Sequence, residues 1–211
     1  MFSPFREELL NDYNKAGNYL TAYKQEVNFG VYGIDLAYIN YYGNNQTLLN
    51  YYLVTKKLSE KLNIQQAFSQ FSNRFLKNSS DKDSVIALVD MAFNETDMYL
   101  KKNERYLSAS HVLAGALVEM NYLSLNLLKG MENNDANKPL FEKVYNEKLY
   151  IYHLAKLFEE YTDKDSKELL KSLTEFKTYY DGIIKSADDY TPSNLDLAIS
   201  HLNVIRKKLI D

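Results

Sequence analysis

Residues 29–39, Phe-Gly-Val-Tyr-Gly-Ile-Asp-Leu-Ala-Tyr-Ile, leave almost no face of a helix free for water. Val27, Val31, Ile34 and Tyr38 follow the 3.6-residue period on one side, while Phe29, Tyr32, Leu36 and Ile39 cover another. A helix that is apolar all round must be surrounded by other helices, so this stretch predicts a buried central helix over 27–42. Gly30, Gly33 and Ala37 form a third stripe of small side chains. Each glycine costs roughly 1 kcal/mol against alanine in a helix interior. The expected use of that cost is close approach of a neighbouring helix or a ligand to the backbone.

A second stretch, 109–128, carries aliphatic residues on every face and is followed by Gly130, where a left-handed helix stop belongs. Three prolines and seven glycines in 211 residues are too few for the turns of a sheet protein. The reading is therefore all-α: about nine helices in an antiparallel bundle-like array around the two apolar ones, in a single domain spanning 1–211. Ser3-Pro4 opens the first helix, which continues through Phe5, Leu9, Leu10, Tyr13 and Leu20 toward Tyr23. After the central helix, the stop at Gly43 lets a third begin at Gln46, and a fourth covers 64–76 on Ala67, Phe68, Phe71 and Phe75. Asp81 caps a fifth that turns Ser84, Val85, Leu88, Val89, Ala92 and Phe93 inward and ends near Lys102. Beyond the sixth, Pro139 opens the seventh, Asp163 caps the eighth and Thr191-Pro192 starts the ninth. Asp35 and Tyr38 are spaced like Glu119 and Tyr122, each pair behind a glycine, which suggests a weak two-unit repeat over 1–103 and 104–211.

Composition removes several function classes. A net charge of −3, with lysines alternating with acids, supplies no basic stripe for a phosphate backbone, so no nucleic acid is expected as a partner. The absence of cysteine excludes disulfides, thiolate catalysis and sulfur-ligated metals. No run of about 18 apolar residues offers a transmembrane segment. His111, His153 and His201 lie on three different expected helices, and no Glu-x-x-His, His-x-x-x-His, phosphate loop or Gly-x-Ser-x-Gly elbow occurs. No metal or cofactor is therefore expected. Tyrosine is abundant, 19 residues against no tryptophan, and suits either helix-packing rims with wet hydroxyls or an aromatic binding surface.

Asp35 and Glu119 are the acids that interrupt the most apolar helices, and a buried carboxylate must be hydrogen-bonded, paired or protonated. His111, Tyr122 and Asn126 share a stripe with Glu119, and Tyr38 stands one turn from Asp35. The expectation is one polar cluster of Asp35, Tyr38, His111, Glu119 and Tyr122. It would be a register-fixing core network, a pocket for a ligand or cation, or an acid–base site.

The blocks 29–38, 56–64 (Lys-Lys-Leu-Ser-Glu-Lys-Leu-Asn-Ile) and Leu113-Ala114-Gly115 with Glu119 and Tyr122 resemble an uncharacterised family of all-helical lipoproteins of Bacteroidetes-type bacteria. The resemblance covers about the first two thirds of the chain. Where that family often carries a tryptophan before the glutamate, this chain has Ala116-Leu117-Val118. The resemblance implies a helical fold and a cell-envelope location, with a lipid anchor outside this sequence, and no reaction. The expected function is thus a non-catalytic envelope protein that binds a small ligand or a protein partner. The alternative is a cytoplasmic enzyme or sensor that uses Asp35 and Glu119.

Overall fold

A computed structural model describes residues 4–78 and 82–211. The chain is all-α: eight α-helices and three short 3₁₀ helices, with no strand among the described residues. The expected caps at Ser3 and Asp81, and the inward-facing side chains of Phe75, Ser84, Val85, Leu88 and Val89, lie outside what is described. The chain divides into two compact units, Met1–Ala116 and Leu117–Asp211.

The first unit holds α1 (Ala22–Tyr42), α2 (Asn45–Lys61), α3 (Gln65–Asn78), α4 (Lys82–Lys102) and the start of α5 (Tyr106–Leu128). Thr21 caps α1 by accepting from the Lys24 amide at 3.2 Å, and Gly43 ends it in the left-handed conformation, φ 71°. Between those caps Val27, Val31, Tyr32 and Ile39 are completely enclosed, as the all-round apolar pattern demands.

The two glycines do what their cost implies. A Cβ on Gly30 would stand 2.1 Å from the Val112 carbonyl oxygen, and one on Gly115 would stand 1.8 Å from that of Val27. Helices α1 and α5 therefore touch backbone to backbone, with a glycine contributed by each. Gly33 opens room for a different neighbour, the Phe93 ring of α4, whose Cζ would lie 2.6 Å from an added Cβ.

The first expected helix is corrected by the structure. Residues 4–21 form two 3₁₀ turns, Glu7–Leu9 and Tyr13–Asn18, joined by extended backbone, and Leu20 is 84% exposed rather than on a buried stripe. Side chains of α1 take the backbone groups that an α-helix would have used. The Arg6 amide donates to the Tyr38 hydroxyl at 3.1 Å, the Asn11 amide donates to Asp35 Oδ2 at 3.2 Å, and the Tyr32 hydroxyl donates to the Asp12 carbonyl at 2.9 Å. These tertiary bonds satisfy the segment as a strap on α1, so the local helical pattern loses.

The second unit holds the rest of α5 with α6 (Lys138–Phe158), α7 (Lys164–Ile183), a 3₁₀ turn at Ala187–Asp189 and α8 (Pro192–Ile210). Asp163 and Thr191 cap α7 and α8 as expected, accepting from the Ser166 and Asn194 amides at 2.9 and 3.2 Å. Helix α7 packs against both α6 and α8. Phe141, Ile151, Phe158, Leu173, Ala198 and Leu202 are wholly buried there. No helix among the described residues is long and apolar enough to cross a membrane.

Candidate functional site

The buried acids decide where chemistry can happen, because a carboxylate already committed to a cation has little left for a substrate. Asp35, fully enclosed, accepts from the Asn11 amide of the strap. The Asn11 side chain extends that network, its amide nitrogen donating to Asn28 Oδ1 and the Tyr19 hydroxyl, both at 3.0 Å. Tyr38 is held against the strap and packs beside Phe5 and Tyr42. Burial raises the Tyr38 hydroxyl above the ordinary tyrosine range and pushes Tyr42 up to about 12. Both hydroxyls stay protonated at neutral pH.

His111 sits on the same α5 stripe as Gly115 and meets Glu26 of α1, Nδ1 to Oε2 at 2.8 Å, with both side chains about 95% buried. Arg105 stands behind, its Nη2 3.7 Å from Glu26 Oε1, while its Nη1 donates to the Leu62 carbonyl. The Tyr23 ring closes the edge of the imidazole at 4.8 Å. Glu26 was not among the expected site residues. It lies one turn before Gly30 on the small-residue stripe of α1, so an acid in line with the glycines was the signal.

In the second unit Glu119, with no exposed surface, is bound by Arg206 through two hydrogen bonds, Nε to Oε2 at 2.6 Å and Nη2 to Oε1 at 2.7 Å. The Tyr122 ring covers the guanidinium, 4.3 Å from Cζ to the ring centre. This is a closed bidentate pair with a cation–π lid. Arg206 was also missed, although it interrupts the apolar stripe Leu195, Ala198, Leu202, Ile205 and Leu209 of α8. The five expected residues thus appear with three sets of partners: Asp35 and Tyr38 with the strap, His111 with Glu26, and Glu119 and Tyr122 with Arg206.

A tyrosine-rich cluster lies further along the second unit. The Tyr180 and Tyr190 hydroxyls bond to each other, Tyr152 donates to Asp181, and Lys148 Nζ sits 3.9 Å over the Tyr145 ring. Burial raises Tyr180 and Tyr190 well above the ordinary range. Glu147 is raised as well, chiefly by burial, and its Oε2 meets no donor among the described residues.

Two spaces differ sharply in what they can hold. A cavity of about 20 Å³ beside Gly33 is walled by Phe29, Leu36, Phe68, Phe71 and Phe93, and its hydroxyl, Thr55, is bonded to the Tyr51 carbonyl. It has room for about one water and no polar wall to keep it. An open groove of about 530 Å³ lies on α3 and α4, lined among the described residues by Gln66, Glu95, Met98, Tyr99, Lys102 and Asn103. Its size falls in the range of small-ligand sites, and its lining mixes an acid, a base, two amides and an aromatic ring. One oxygen of Glu95, Oε2, is shut off from solvent and meets no donor among the described residues.

No family model matches the chain, and no curated protein or solved structure matches it either. Among the described residues no three His, Cys, Asp or Glu side chains gather as metal ligands.

Proposed function

We propose that this protein is a non-catalytic binding protein whose ligand site is the groove on α3 and α4. The observation that carries the reading is the groove itself, about 530 Å³ of open space whose wall brings together an acid, a base, two amides and an aromatic ring. Supporting it, Asp35 and Glu119 are wholly enclosed and engaged with the strap and with Arg206, so a substrate has no route to either. The resemblance in the sequence supports a cell-envelope location with a lipid anchor. A gene whose reading frame upstream of Met1 encodes an export signal ending in a lipid-acceptor cysteine would bear that location out; a native start at Met1 would remove it.

The binding reading is tested by the ¹³C-methyl resonance of Met98, which lies in the groove wall. Ligands that bind should move Met98, and Gln66→Trp, which narrows the groove from an exposed position, should abolish the shift. Binding that moves Met120 or Met131 while leaving Met98 untouched would overturn the assignment.

A further inference from the structure

We infer that the groove takes short unblocked peptides of about three residues, the peptide ammonium on Glu95 and its carboxylate on Lys102; this rests on the groove being the ligand site. The argument begins with the α4 face. Glu95, Met98, Tyr99 and Lys102 are spaced i, i+3, i+4, i+7, so they form one stripe along the helix, and all four line the groove. Seven residues of α-helix separate the acid from the base by about 10 Å along the axis. Three residues of extended peptide span about the same distance, at roughly 3.3–3.6 Å each.

The chemistry at each end fixes polarity. Glu95 brings the groove's carboxylate, an acceptor-only group, and a cationic N–H group serves it best because the acceptor is charged. Lys102 at the other end offers three donors and no acceptor, which suits a carboxylate. Between them, Met98, 62% exposed, and the Tyr99 ring offer apolar contact to small side chains. Gln66 and Asn103 bring side-chain amides, which carry donor and acceptor together as a peptide unit does. Asn103 is already oriented, its Nδ2 donating to the Tyr99 carbonyl at 2.7 Å, which leaves its carbonyl oxygen to accept.

The test titrates the full chain, carrying ¹³C-methyl methionine, with tri-L-alanine, its N-acetyl form and its C-terminal amide, and separately with glutarate and with butanol. Trialanine should shift Met98 saturably. N-acetylation or Glu95→Gln should each weaken it about tenfold or more, the scale of losing one hydrogen bond to a charged group, and the amide or Lys102→Gln should do the same. The blocked probes make the result independent of whether either variant folds. Equal binding of the free and acetylated peptides would overturn the assignment to Glu95. If trialanine fails while glutarate or butanol moves Met98, the peptide assignment falls and the groove remains the ligand site. If no probe moves Met98, both fall.

Discussion

Each unit buries one carboxylate against a cation, and the two solutions differ in kind. Glu119 faces a guanidinium that is always charged, grips both oxygens and is itself covered by the Tyr122 ring. Glu26 faces an imidazole that offers one bond and is charged only when protonated, with Arg105 held off at 3.7 Å. The first arrangement is self-contained, since removing either partner strands a charge in a place water cannot reach. The second shares the acid between a close weak partner and a more distant strong one, so it tolerates the loss of either. The location explains the choice. His111 stands one turn from Gly115, where α1 and α5 touch backbone to backbone, so its short side chain reaches Glu26 of the facing helix directly.

The largest test of this contrast is Arg206→Ala, which should destabilise the protein by about 3–5 kcal/mol in chemical denaturation by leaving Glu119 buried and unpaired. Replacing both partners by apolar residues, Glu119→Leu with Arg206→Met, should recover most of that loss. A double variant as unstable as the single one would show that packing by the arginine stem, rather than charge, dominates. Next comes Gly115→Ala, expected to cost about 3 kcal/mol because a methyl group 1.8 Å from the Val27 carbonyl meets backbone that cannot step aside. A near-neutral result would mean that the α1–α5 contact is looser than its geometry implies.

His111→Ala should cost less than Arg206→Ala, about 1–2 kcal/mol, since Arg105 stays beside Glu26. Adding Arg105→Ala should then cost more in the His111→Ala background than alone, and strict additivity would break the idea of a shared acid.

The smallest effect has the opposite sign and a pH signature. Burial places the Glu147 carboxyl above its unfolded value of 4.5, so the native state holds that proton to higher pH than the unfolded chain does. Its penalty is absent below the unfolded value, grows as pH rises toward the native one, and is constant beyond. Glu147→Gln should therefore stabilise by about 0.5 kcal/mol at neutral pH and make no difference in strong acid, read from unfolding midpoints across the acid range. A gain that persisted at the lowest pH would have a cause other than ionisation.

Much of the fold is local and was legible. Apolar residues on every face of 27–42 and 109–128 required two enclosed helices. Asp163 and Thr191 declared the starts of α7 and α8, and glycines set in a helix interior announced a close approach. These signals act within a few residues, where side-chain period and capping chemistry are written directly in the chain. The strap was not legible, because residues 4–21 have a helical pattern whose alternative exists only once Asp35, Tyr38 and Tyr32 are in place to take its backbone.

Asp35 and Glu119 could be named as acids in need of partners, since burial alone makes that demand. Which partners answered it was decided across 24 residues between Asp35 and Asn11, and 87 between Glu119 and Arg206. The groove is likewise tertiary: the stripe Glu95, Met98, Tyr99, Lys102 reads as an ordinary mixed helix face, and only the placing of α3 beside α4, with Gln66 and Ala67 as the facing wall, makes a groove of it. One strand of sequence specifies which groups must be satisfied, whereas packing specifies by whom, because hydrogen bonds and ion pairs depend on distances in space that sequence separation does not constrain.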